Sequence, residues 1–178
     1  MSGLSKIRYA HKGYFSKADE VNAAILATVN RYSNDPLIHK THYFEGRYEN
    51  IYIDREKIPG MDQVIEQAQA YAAEILGIDS EQLQCGFWFN LMQKGDVTIA
   101  HTHDDDDELL SGVYYVAVPD QSAKLCLGVG DNREMVAPEA GMMVFFSPQL
   151  VHEVTTSLSD QPRLSIGMNF GRRKDINK

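Results

Sequence analysis

Val97-Thr98-Ile99-Ala100-His101-Thr102-His103-Asp104-Asp105 is the stretch on which the reading of this chain turns: a short β-type run ends on two histidines and an acid at alternate positions. Successive side chains in a strand point to opposite faces, so His101, His103 and, if the extended backbone persists, Asp105 face one way, with Thr102 and Asp104 on the other. A third histidine, His152, follows 49 residues after His103, within Pro148-Gln149-Leu150-Val151-His152-Glu153-Val154. Two donors on one strand and a distant one on another is how a β-barrel holds a metal near its mouth. Such a set suits a mononuclear, open-sided iron centre, and zinc is compatible with it. The spacing admits two ligand sets: His101, His103 and His152, or His103, Asp105 and His152. A lone histidine is better read as a surface or satisfied core residue, which is how we take His11, His39 and His42; three at this spacing point to a metal.

Outward from that stretch, residues from Gln84 onward fall into short β-type runs: about 84–93, 96–103, 110–118, 123–129, 133–137, 142–147, 151–156 and 163–170. Turn-type residues separate them, as in Lys94-Gly95-Asp96, Val118-Pro119-Asp120, Gly130-Asp131-Asn132 and Pro138-Glu139-Ala140-Gly141. Eight short strands after a helical segment, with metal-type residues at the ends of the second and seventh, predict a mainly β fold. The expected form is a double-stranded β-helix, the jelly roll of cupins and related oxygenases, with helices packed on the outside.

Residues 1–80 read as a mixed, helical cover on that core. Val21, Ala24, Ile25, Thr28, Val29 and Tyr32 recur at helical spacing, which predicts a helix of roughly 16 residues with Ser16 as its N-cap and an end near Ser33-Asn34-Asp35-Pro36. Tyr43 to Asp54 reads as one strand, with Ile51 and Ile53 alternating with Tyr52 and Asp54. Met61, Val64, Ile65, Ala68, Tyr71, Ala72, Ile75 and Leu76 form a single apolar stripe, and Gly77-Ile78 reads as a C-terminal cap.

The 178 residues, 43% hydrophobic and 24% charged, suffice for one domain with a sizeable core, and we read residues 1–178 as a single domain. A formal net charge of −8 argues against a nucleic-acid partner, which would demand a surplus of Lys and Arg. No apolar leader follows Met1 and no apolar run is long enough for a membrane span, so the expected protein is soluble and cytoplasmic, with no membrane partner. Cys85 and Cys126 sit in apolar runs and read as small buried hydrophobes.

Together, Trp88-Phe89-Asn90, His101-Thr102-His103, Ser111-Gly112-Val113-Tyr114-Tyr115, Pro138-Glu139-Ala140-Gly141, Phe145-Phe146-Ser147-Pro148, His152, Arg163-Leu164-Ser165-Ile166 and Asn169-Phe170 resemble the 2-oxoglutarate- and iron(II)-dependent dioxygenase superfamily, in particular a branch of small oxygenase-like proteins. The resemblance covers about residues 84–171. It implies Fe(II) as cofactor, 2-oxoglutarate as cosubstrate, molecular oxygen as co-reactant, and hydroxylation of a small molecule, amino acid or peptide side chain. The superfamily pattern has an acid two residues after the first histidine, where this chain has His103. The resembled branch shows His-x-His, and on that ground His101, His103 and His152 are preferred to the set containing Asp105.

By the same resemblance Arg163, eleven residues after His152, holds the far carboxylate of 2-oxoglutarate. The chemistry agrees, because a guanidinium fork matches a carboxylate bidentately and Ser165, on the same strand face, can add a hydroxyl donor. Asn90 and Tyr115 are further candidates for the cosubstrate, each a polar group in an apolar strand. Asp104 to Glu108 reads either as a rim that draws a cationic substrate or as a solvated turn. The competing function is a cupin-type metal protein, a lyase, isomerase or non-catalytic binding module, that works without 2-oxoglutarate and in which Arg163 is structural.

Overall fold

The computed structural model describes residues 3–103 and 107–174. In chain order the elements are β1 (Ser5–Lys6), β2 (Ala10–Tyr14), α1 (Ala18–Tyr32), β3 (His39–Phe44), β4 (Arg47–Tyr52), α2 (Met61–Leu76), β5 (Leu83–Met92), β6 (Thr98–His101), β7 (Glu108–Ala117), β8 (Leu125–Leu127), β9 (Glu134–Val136), β10 (Met142–Phe146), β11 (His152–Val154) and β12 (Arg163–Arg172). The eight strands expected after residue 84 are all present. They divide into two antiparallel sheets: β10-β7-β12-β5 forms the middle of an eight-stranded sheet that continues to β2 and β1 on one side and β4 and β3 on the other, while β6-β11-β8-β9 forms the second. This is the double-stranded β-helix, with both helices against the outer face of the larger sheet. Neither helix is long and apolar enough to cross a membrane.

The alternation along β12 shows how the layers are assigned. Leu164, Ile166, Met168 and Phe170 are buried in the core under the helices. Arg163, Ser165, Gly167 and Asn169 face the opposite side and line a cavity between the sheets. On β7, Tyr114 joins the helix-side core and donates its hydroxyl hydrogen to Asn22 Oδ1 (2.7 Å), whereas Tyr115 faces the cavity. On α2, Met61, Val64, Ile65, Ala68, Tyr71 and Ala72 are buried, as the apolar stripe predicts. Each large aliphatic among them contributes about 1.5–3 kcal/mol on leaving water. The helix stops at Gly77, whose φ of 64° is left-handed, with the Ile78 N–H donating to the Ala73 carbonyl (3.1 Å).

Three expectations need correction. The first helix begins at Ala18, one residue later than Ser16 would place it, and no side chain caps it; the Ala18 N–H donates to the Phe15 carbonyl instead. Tyr43 to Asp54 is part of a hairpin, β3 and β4, that turns at Glu45 (φ 46°) and Gly46 (φ 88°). Two consecutive positive φ values are what a tight two-residue hairpin turn requires, and Glu-Gly is a weaker signal for it than Asn-Gly or Asp-Gly. Third, β6 stops at His101, so His103 is held by its N–H donating to the Pro148 carbonyl (2.9 Å) rather than by the sheet.

Candidate metal centre

His101 and His152 are direct cross-strand partners in the β6–β11 pair, which sets their rings 4.3 Å apart, and the ring of His103 stands 5.1 Å from that of His152. One ring nitrogen from each of the three lies within 4.8 Å of the others, the only such grouping of His, Cys, Asp and Glu side chains among the described residues. Asp105, the alternative ligand, lies outside the described residues, as do Asp104 and Asp106.

Each ring is oriented by an acceptor on its Nδ1. His101 Nδ1 is 2.8 Å from the Ile99 carbonyl oxygen and His152 Nδ1 is 2.9 Å from that of Leu150. His103 Nδ1 is 3.0 and 3.1 Å from the two carboxylate oxygens of Glu108. A carbonyl or carboxylate oxygen only accepts, so all three Nδ1 atoms carry a proton, which leaves Nε2 as the candidate donor atom of each ring. Burial is the main cause holding His152 down to about 4, which keeps its ring neutral at neutral pH. Three convergent imidazoles, each oriented from behind through Nδ1, form a donor set that fits a divalent transition metal. His152 is buried and His101 exposed, so one side of the set is open.

The three rings share a cavity of about 550 Å³ with Arg163, Ser165, Asn90 and Tyr115, so every residue singled out for metal or cosubstrate on sequence grounds, Asp105 excepted, lines one space. Arg163 is 1% exposed, far from the surface arginine that Pro162 before it would suggest. Its Nη1 donates to Ser165 Oγ (3.1 Å) and lies 3.3 Å from Met92 Sδ, its Nε has no hydrogen-bond partner among the described residues, and none of the described ion pairs includes it. The guanidinium carbon sits 5.1 Å from the centroid of the Tyr115 ring, whose buried hydroxyl is close enough to interact with the guanidinium but has no partner of good hydrogen-bond geometry among the described residues. Burial pulls Arg163 below its ordinary pKa, yet an arginine stays charged. A buried cation with an unused donor beside a buried hydroxyl has the chemistry to hold an anion. Asn90 is partly committed, since its Oδ1 accepts from Arg47 Nη1 (3.3 Å).

Other wall residues were not picked out by their sequence setting. Trp88 lies flat against Gly167, its cross-strand partner on β12, where a Cβ would come within 2.4 Å of the indole; the indole centroid is 6.2 Å from that of His103. The β3–β4 hairpin supplies His42, Glu49, Asn50 and Tyr52. His42 adopts φ 58°, with the Thr41 hydroxyl and the Asn50 amide 2.8 and 3.1 Å from its Nδ1. Two of the acids expected on a rim are otherwise engaged: Asp107 pairs with Lys174 (3.0 Å), and the Glu108 side chain is 3% exposed behind His103.

No protein-family model and no curated protein matches the sequence. Solved structures do match its fold. A prolyl-4-hydroxylase from Pseudomonas putida aligns over 97% of this chain and 89% of its own, with a TM-score of 0.66 at 22% identity. The epimerase SnoN, in complex with Fe3+, α-ketoglutarate and nogalamycin RO, aligns over 90% of this chain and 78% of its own, with a TM-score of 0.65 at 16% identity. An oxidoreductase of the 2OG-Fe(II) oxygenase family from Burkholderia pseudomallei aligns over 83% and 79%, with a TM-score of 0.59 at 14% identity. The chain has the jelly-roll fold of these oxygenases.

Proposed function

We propose that this chain is an Fe(II)- and 2-oxoglutarate-dependent dioxygenase that hydroxylates a small molecule, an amino acid or a peptide side chain. The observation that carries the reading is Arg163: a buried guanidinium without an anionic partner among the described residues, in the same cavity as three convergent imidazoles. A cupin-type metal protein that needs no 2-oxo acid leaves that charge unexplained.

The Nε2 atoms of His101, His103 and His152 would hold the iron on one face. Arg163 would bind the far carboxylate of 2-oxoglutarate through its fork, Ser165 would add its hydroxyl, and the Tyr115 hydroxyl supplies one more donor from the adjacent strand. When bound, iron and 2-oxoglutarate supply the oxidation: one atom of dioxygen enters a substrate C–H bond, the other enters succinate, and carbon dioxide leaves. The protein's own part is placement and shielding. Phe146 packs on His152 at 4.8 Å between centroids and Trp88 closes the His103 side, which keeps water from the rings on two flanks. The hairpin wall of His42, Glu49, Asn50 and Tyr52 lies where the prime substrate would be held.

Anaerobic addition of iron(II) and 2-oxoglutarate to the purified chain tests the reading. A visible charge-transfer band is expected on mixing, because chelation by a 2-oxo acid needs the two adjacent positions that a facial three-ligand set leaves open. Succinate should then form on admitting oxygen, slowly even without the prime substrate. Absence of both band and succinate would overturn the proposal in favour of the cupin-type alternative.

A further inference from the structure

We propose that Glu108 is the anionic member of the metal centre, acting as a positioning residue through the His103 ring. The inference rests on the three-histidine metal reading above and is independent of 2-oxoglutarate. His101 and His152 lean on neutral backbone carbonyls, whereas His103 alone leans on a carboxylate, whose two oxygens lie 3.0 and 3.1 Å from Nδ1. The Glu108 side chain is 3% exposed, and the Ser111 hydroxyl donates to its Oε1 at 2.6 Å. His103 is its only ion-pair partner among the described residues, and the neighbouring acid Asp107 pairs with Lys174 instead.

The backbone is shaped to put it there. Residues three apart on a regular strand face opposite ways, so Glu108 and Ser111 should not meet. Between β7 and β12 the pairing runs Ser111 with Asn169 and Leu110 with Phe170, then jumps to Glu108 with Gly171, leaving Leu109 as an extra residue. That bulge turns Glu108 onto the Ser111 face. Gly171 permits it: a Cβ there would lie 2.7 Å from the Asp107 carbonyl oxygen. A bulge beside a candidate site, spent on aiming one buried acid at one imidazole, is hard to account for by packing.

The consequence is electrostatic. A buried carboxylate is costly unless a positive charge offsets it, and a divalent ion on the Nε2 side of His103 supplies that charge across the ring. Glu108 in turn fixes the tautomer of His103 and makes Nε2 a stronger donor. The centre then has three nitrogen ligands but carries the same total charge as one with two histidines and an acid. The carboxylate has been moved outward by the width of an imidazole.

Cobalt(II), titrated into the full chain against a competing chelator, gives the readout without any turnover. Glu108→Gln keeps an oxygen for Nδ1–H and removes the charge; Glu108→Ala removes both. Cobalt affinity should fall about tenfold in the first and up to about a hundredfold in the second, the usual range for such supporting contacts. Circular dichroism of the metal-free variants should match the parent. The discriminating step repeats Glu108→Gln in a His103→Asp background, where the ring that carries the effect is gone. There the substitution should cost no cobalt affinity. Unchanged affinity in both single variants, or an equal loss in the His103→Asp background, would overturn the proposal. Failure of the parent chain to bind cobalt would overturn the metal reading with it, whereas normal cobalt binding without a 2-oxoglutarate band overturns the oxygenase proposal alone.

Discussion

Replacing Arg163 by Met separates what the residue does for the fold from what it does for a ligand. An unpaired buried charge is a burden, and an apolar side chain of similar length removes it, so Arg163→Met should raise the unfolding free energy of the ligand-free chain by about 1–4 kcal/mol. The same change should weaken 2-oxoglutarate binding by on the order of 2–5 kcal/mol while iron binding persists. Denaturant titration and calorimetry give both numbers; a destabilised variant that still binds 2-oxoglutarate would make Arg163 a structural residue. At the metal, His152→Ala and His103→Ala should each lose stoichiometric iron with the circular dichroism unchanged, and Asp105→Ala should keep it. Iron lost from Asp105→Ala but kept by His101→Ala would install the other ligand set. These residues were legible because their chemistry is written in type and spacing. Glu108 was not: within Asp104 to Glu108 it looks like one of five solvated acids, and only the bulge at Leu109, a product of pairing with β12, turns it inward.

At the scale of elements, the β3–β4 hairpin is attached to the sheet by a single registered pair, Ile51 with Phe89. The Thr98 hydroxyl adds a tie by donating to Glu49 Oε1 (2.7 Å), and Arg47 supplies most of the others. This arginine donates to Asn90 Oδ1 (3.3 Å), the Val97 carbonyl (3.1 Å), Thr98 Oγ1 (3.3 Å) and Glu49 Oε1 (3.1 Å), and pairs with Asp96 (3.5 Å), with its side chain 13% exposed. Arg47→Ala should therefore cost about 1–3 kcal/mol, concentrated in residues 39–52, where hydrogen exchange should accelerate more than in β7 or β12. Uniform acceleration across both sheets would mean the hairpin is no separate unit. The sequence reached the eight jelly-roll strands because alternation and turn residues mark them locally. It missed β2 and the two-stranded character of the hairpin for a different reason: Ala10-His11-Lys12-Gly13-Tyr14 has no strand pattern of its own and becomes a strand by pairing with β10.

At the scale of the whole molecule, two apolar clusters flank the larger sheet. One lies under the helices, and the other, built on Leu125, Leu127, Met142, Val144 and Phe146, lies between the sheets and floors the cavity. The three histidine rings thus stand on a packed base, and the fold should stand with or without a metal on them. Trp88, pinned against Gly167 beside His103, is the only tryptophan in 178 residues. The molecule therefore carries a lamp with one bulb, hung beside the three imidazoles. Its fluorescence reports on a single place, with no background indole to subtract. Cobalt(II), whose partly filled d shell quenches a nearby excited indole, should dim it in proportion to occupancy, while zinc(II), with its full shell, should leave it bright. The His152→Ala variant should stay bright with either ion, so the occupancy of the centre can be read in dilute solution without label, substrate or turnover.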